Sequence, residues 1–278
     1  MNQNSKLELS VVICVSDDVR VDKTLKSIKD NCEVIIVLNQ PTNEVKSIVT
    51  NYKNNGIYEL NIYEISEKNL SKARNVGTNL AKYDKVVFFD SDCVITKGSL
   101  QIYNVLLDEF LLVDGKVKFR DDNFQSKIIS KVREYGIPGY ALCPSMGLNK
   151  KILEYSNGYF FDEDIKWVED TELNDRVKNK IKIGRINQIT CIHDNLTFKL
   201  DLKSGYKYGT GVRRAVNKKI YKPGPEPNWF LFKELAKENL ISALYFVIWN
   251  GFYCLGYYTE KEKKNEDIRI KRMGNKRS

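Results

Sequence analysis

Short unbroken apolar runs alternate with stretches in which apolar residues recur every three or four positions. Leu9 to Val15 is a run of strand length, and Leu25 and Ile28 then share one face of a helix around Val19 to Asp30. Glu33 to Leu38 is the next run. Pro41 opens a helix through Val45, Ile48 and Val49, because proline's fixed φ is tolerated in a first helical turn. Leu60 to Ile65 alternates apolar and polar residues, and Ser71 is placed as the cap of a helix running to about Leu80. Val86 to Phe89 forms a fourth strand, ending in the turn residues Asp90-Ser91-Asp92. After Gly98 comes a helix with Leu100, Tyr103, Leu106, Leu107 and Phe110, beyond which the pattern is less regular. This β-α-β-α-β-α-β order predicts an α/β fold with a mainly parallel central sheet flanked by helices, and ligands at the carboxyl ends of its strands. No internal repeat or low-complexity linker is found.

With 278 residues and 42% apolar content, the chain can bury a substantial core. The formal net charge of +9 suggests an anionic partner until it is located. Between Val212 and Lys222 lie Arg213, Arg214, Lys218, Lys219 and Lys222 without an acid, and from Glu260 to Ser278 eight basic residues face four acidic ones. Those two stretches account for the whole excess. The rest is formally neutral and needs no nucleic-acid partner.

Six cysteines without a C-x-x-C pair point to a reduced chain with buried thiols rather than a disulfide framework. A single histidine, His193, excludes a multi-histidine zinc site and leaves chemistry to carboxylates. Met1 to Leu7 is polar and lacks the apolar core of a signal peptide, so a cytosolic location is expected.

Asp90 and Asp92 follow an apolar strand at i and i+2, so an extended backbone directs both carboxylates to one side. Two hard oxygen ligands so placed can hold Mg²⁺ or Mn²⁺ while substrate phosphate and water fill the remaining positions. A plain turn that caps the strand is the competing reading. Glu169-Asp170-Thr171-Glu172 stands before the helical pattern of Leu173 to Val177, where first-turn acids are also favoured by the helix dipole alone.

LSVVICVSDD, NLSKARNVGTNLAKYDKVVFFDSD and FFDEDIKWVEDTELNDRVK occur in an order and spacing that resemble the inverting family 2 glycosyltransferases of the GT-A fold, from about Leu9 to about Thr210. The resemblance implies a nucleotide-diphosphate sugar donor and a divalent metal, Mn²⁺ or Mg²⁺. It puts Asp90 near the donor ribose and diphosphate with Ser91 beside it, Asp92 on the metal, Arg74 as a donor contact and Asp170 as the general base. It puts Asp162, in Phe160-Phe161-Asp162-Glu163, and Glu169 on the acceptor side. His193 sits where some relatives place a metal or diphosphate contact, and a structural hydrogen bond is the equal alternative. Many relatives end the second strand with paired acids that read uracil; here Asn39 stands instead, whose amide can both donate to and accept from a pyrimidine edge. Together with Ser16 it is expected to hold the nucleoside, with UDP-sugar as the default donor.

Leu240 to Tyr258 reads LISALYFVIWNGFYCLGYY, 19 residues without charge, close to the ~20 that span a bilayer. Basic stretches flank it on both sides, so a helix or hairpin lying in the interface fits better than a single span, with Trp229, Tyr245, Trp249, Tyr253, Tyr257 and Tyr258 at headgroup depth. A buried core or dimer helix is the alternative. The expected organisation is a catalytic domain over 1–211 and a basic, aromatic helical region over 212–278, peripheral at the inner face of the cell membrane.

The expected function is metal-dependent inverting transfer of a sugar to a hydroxyl of a glycan, lipid-linked or peptide acceptor, in surface glycan or polysaccharide synthesis. A non-catalytic nucleotide-binding scaffold of the same fold and a sugar nucleotidyltransferase are the alternatives. The latter usually carries a glycine-rich loop after its first strand, and Val15-Ser16-Asp17-Asp18 has no glycine.

Overall fold

A computed structural model describes residues 6–53, 58–134, 139–222, 224 and 229–260. The Trp229 side chain and the basic residues after Glu260, both invoked above, lie outside the described part. In chain order the elements are β1 (Ser10–Val15), α1 (Val21–Ser27), β2 (Glu33–Asn39), α2 (Asn43–Lys53), β3 (Glu59–Ile65), α3 (Leu70–Leu80), β4 (Lys85–Asp90), β5 (Cys93–Ile95) and α4 (Ser99–Glu109). They continue as β6 (Leu112–Phe119), α5 (Phe124–Arg133), β7 (Ser145–Asn149), α6 (Glu169–Val177), β8 (Ile183–His193), α7 (Phe198–Asn217), α8 (Trp229–Glu238) and α9 (Leu240–Thr259).

The eight strands form one sheet in the order β3-β2-β1-β4-β7-β6-β8-β5. β3, β2, β1 and β4 run parallel, as the alternating pattern requires. β1 is apolar from Val11 onward because both of its faces are covered: Val11, Ile13 and Val15 pack with Leu25, Ile36 and Val45 on one side, and Val12 packs with Ile35, Ala73 and Phe88 on the other. Beyond β4 the sheet turns mixed. β7 enters antiparallel between β4 and β6, and β5 folds back antiparallel onto β8.

One local expectation is corrected. The N-cap of α3 is Asn69, whose side chain accepts from the Lys72 amide, whereas the Ser71 hydroxyl donates to the Ile165 carbonyl at 2.7 Å. Asn is as good a cap as Ser, and Ser71 is freed to bind the loop ahead of α6. Asn75 fastens the same loop, donating to the Phe161 carbonyl and accepting from the Phe161 amide. The α3 segment is therefore a clamp between the parallel strands and the acidic loop. At the C-terminus, α7 runs unbroken through residue 211, and α9 packs along it.

Candidate active site

The C-terminal ends of β1, β2 and β4 open on one side of the sheet. Asp90 closes β4 there, and the following turn carries Asp92 into β5. Antiparallel pairing of β5 with β8 sets Cys93 opposite His193, and the Asp194 amide donates to the Asp92 carbonyl at 3.0 Å. His193 thus comes to lie with Nε2 3.4 Å from Asp92 Oδ1. Its Nδ1 sits 2.9 Å from the Asp194 carbonyl oxygen, which only accepts. Nδ1 therefore carries the proton, and in the neutral ring the Nε2 lone pair is left toward the carboxylates. Ligand atoms of Asp90, Asp92 and His193 all lie within 4.8 Å of one another, and two carboxylates with one imidazole suit Mn²⁺ or Mg²⁺. Burial pushes the Asp92 carboxyl above its ordinary value, His193 and Arg20 oppose that shift, and Asp90 and Asp18 add to it.

Arg20 was not singled out from the sequence. Its Nη2 lies 3.0 Å from Asp92 Oδ2, while Nε and Nη2 grip the two oxygens of Asp18 at 2.9 and 2.7 Å. Asp194, another residue missed, lies 3.4 Å from Lys23 and 3.7 Å from Arg120. The signal was the Ser16-Asp17-Asp18-Val19-Arg20 cluster just beyond a strand end, but its partner Asp194 is remote in sequence.

On the far side of Asp90 stands Arg74, which burial discharges less than its neighbours charge it. Desolvation opposes the cation, and Cys143, Glu169, Asp90 and Asp170 around it outweigh that, so the guanidinium is held well above its ordinary value. Nη1 pairs with Glu169 Oε1, Nη2 lies 3.4 Å from Asp90 Oδ1, and the Phe161 ring flanks it at 6.0 Å. Burial pushes Glu169 up to about 7, against the pull of Arg74. Next to it Asp170 accepts from the Thr171 amide at 2.7 Å and from the Cys143 amide at 3.0 Å. Burial also raises the Asp170 carboxyl, and Arg74 restrains that shift. The backbone ahead of α6 is held tightly: Trp167 has a φ of 76°, in the left-handed region that costs a bulky residue energy, and Lys207 Nζ lies 3.9 Å from its ring centroid.

The structure thus joins Asp92, Asp90, Arg74, Glu169 and Asp170 in one chain of charges, with His193 at the Asp92 end. The other expected residues have different surroundings. Glu169 is 1% exposed and turned into Arg74, so its carboxylate supports the cation. Asn39 is buried, and its Oδ1 accepts the Asn69 amide at 2.8 Å, which leaves only its Nδ2 for a base. Ser16 donates to the Gln40 carbonyl at 3.2 Å and ties the β1 and β2 ends together. The Ser91 carbonyl accepts the Thr24 hydroxyl at 2.8 Å. Asp162 is held by Lys218 at 2.6 Å, away from this chain of charges.

A mixed sheet with acids at its parallel strand ends and a carboxylate across from them is the architecture of nucleotide-sugar transferases of the GT-A type. The sequence model of Glycosyl transferase family 2 matches residues 10–150, and the chain belongs to that family. Among solved structures it resembles S. aureus TarS 1-349 in complex with UDP-GlcNAc, with a TM-score of 0.55 and 16% identity over 96% of this chain and 92% of that one. It also resembles the mannosyltransferase PcManGT from Pyrobaculum calidifontis in complex with GDP-Man and Mn²⁺, with a TM-score of 0.60 and 14% identity over 97% of this chain and 80% of that one. At such identities the likeness is one of fold. No curated protein sequence matches the chain.

Proposed function

We propose that this glycosyltransferase is metal-dependent and inverting, moving a sugar from a nucleotide-diphosphate donor, UDP first among the candidates, to an acceptor hydroxyl. The observation that carries the reading is the convergence of Asp90, Asp92 and His193 at one strand end, with Asp170 across Arg74 from them.

Asp92 and His193, with Asp90 beside them, are the residues that would hold the divalent ion, which when bound neutralises charge on the departing diphosphate. Asp90 also faces the ribose end of the donor, and Asn39 offers its amide Nδ2 to the base. Asp170 accepts the acceptor's hydroxyl proton as that oxygen bonds to the anomeric carbon and the carbon–diphosphate bond breaks on the opposite face. Its two backbone hydrogen bonds fix the carboxylate, so the proton is taken at a defined position. Burial raises the Asp170 carboxyl, and Arg74 restrains that rise and so favours the ionised form. The acceptor class favoured is a surface glycan or polysaccharide precursor.

Incubation of the protein with UDP-sugars and Mn²⁺, with a membrane extract as acceptor and mass spectrometry as readout, tests this. Expected is nucleotide release with a product whose anomeric configuration, read by NMR, is opposite to the donor's. Retention of configuration, or turnover undiminished in EDTA, overturns the mechanism. Thermal shifts with UDP, GDP, dTDP and CDP test the nucleotide, and UDP failing to stabilise the protein removes it as the donor base.

A further inference from the structure

Helix α9 inverts the usual surface pattern. Ala243, Tyr245, Phe246 and Tyr257 face inward and are buried, while Ile241, Leu244, Val247, Ile248, Leu255 and Tyr258 are between 51% and 72% exposed. At 100° per residue these outward positions form one continuous apolar stripe along the helix. From Leu240 to Thr259 the helix carries no charge. On α8, which packs against it, Phe230 is 73% exposed, with the exposed Lys233 three residues further on. A contiguous apolar surface of this extent marks an interaction site.

The inner face fixes how that surface can be used. A Cβ on Gly209 would collide with the Tyr253 carbonyl, and one on Gly256 with the Tyr206 carbonyl, so α7 and α9 touch backbone to backbone. Tyr245 donates to the buried Asp201 at 2.7 Å, Asp201 also receives Arg133, and Arg214 pairs with Glu260 at 2.7 Å. Crossing a bilayer would strip α9 from these partners and leave Asp201 and Arg133 without it. Although α9 is, among the described residues, the helix long and apolar enough to span, it is committed along its length to the rest of the protein.

We propose that the outer face of α9 docks the protein on an anionic lipid bilayer, its axis lying in the membrane plane and the stripe sunk at the headgroup–acyl boundary. Charge complementarity selects this occupant. The stripe has no carboxylate to repel lipid phosphate, and the sequence from Glu260 onward brings eight Lys and Arg against four acids directly behind it. Apolar burial of the stripe and attraction of the basic sequence that follows it reinforce each other, so α9 holds the catalytic domain at the surface without entering the bilayer core. Docking through α9 depends on neither the donor, the metal nor the anomeric outcome.

Flotation of the full chain with vesicles of phosphatidylcholine, with and without phosphatidylglycerol, tests it. Expected is binding that requires phosphatidylglycerol, weakens with added salt and falls at least about tenfold in Leu244→Glu/Ile248→Glu. Donor binding by that variant should equal the wild type's, since both side chains are more than half exposed and lie on the outer face of α9. No flotation with either vesicle overturns the proposal, as does binding unchanged in the double variant. A salt-resistant dimer in sedimentation velocity that dissociates in the double variant, without vesicle binding, assigns the stripe to a second copy and equally overturns it.

Discussion

The Arg74 guanidinium and the Glu169 carboxylate form an ion pair that solvent scarcely reaches, their side chains being 6% and 1% exposed. Removing one charge from such a pair strands the other in a low-dielectric setting. Glu169→Gln leaves Arg74 with Asp90 at 3.4 Å and is expected to destabilise the fold by about 3 kcal/mol in urea unfolding. Arg74→Met combined with Glu169→Gln is expected to cost less than the two single changes added, because the second removes the stranded charge. Strict additivity in the cycle would refute the coupling.

Asp170 is fixed by two backbone amides and raised by burial. Asp170→Asn keeps that shape and loses the base, so transfer should fall ~10²-fold or more while nucleotide binding is retained. A base works ionised, so turnover is lost as pH falls. With the carboxyl above its usual 3.8, the acid limb of kcat/KM should have its midpoint above pH 3.8. Near wild-type turnover in the variant would remove Asp170 from the mechanism.

The Asp90, Asp92 and His193 donors should bind one Mn²⁺, counted by electron paramagnetic resonance. Asp92→Ala is expected to weaken that binding by about tenfold or more, since a hard carboxylate oxygen is lost from a small ligand set. Chelation should abolish turnover, and Mn²⁺ or Mg²⁺ should restore it.

Arg20 stands 3.0 Å from Asp92 and occupies part of the field that a metal ion would feel. Arg20→Gln removes a competing cation, so Mn²⁺ affinity of the donor-free protein should rise roughly severalfold. The same change frees Asp18 and Asp194 of their shared partner, and weaker Mn²⁺ binding in Arg20→Gln would show that the arginine orders the site rather than competes for it.

Much of the parallel half of the sheet was legible before folding was considered. The apolar runs Val11 to Val15 in β1 and Val34 to Leu38 in β2 are unbroken because both faces are covered, and helices between them fill those faces with a 3.6-residue period. The acids at the end of β4 were legible for the same reason: they break an apolar strand at the edge where ligands bind. The antiparallel entry of β7 and the fold-back of β5 were not, since nothing in Cys93-Val94-Ile95 names β8 as its partner. Ser71 shows the limit on a smaller scale. It looks like a cap, yet Asn69 lies in extended backbone two residues earlier and takes that place, while Ile165 claims the Ser71 hydroxyl.

The sequence alone determined the α/β architecture, the two acidic clusters and the uncharged aromatic helix, because each depends on composition and spacing within a few turns of chain. Tertiary structure decided which of these groups meet. It set His193 beside Asp92, drew Glu169 into Arg74, and brought Arg20 onto Asp92. It also settled which face of α9 is committed to α7 and which remains apolar and outward. Pairing between distant segments and the burial that follows from it are properties of the packed chain, and no local pattern of residues specifies them.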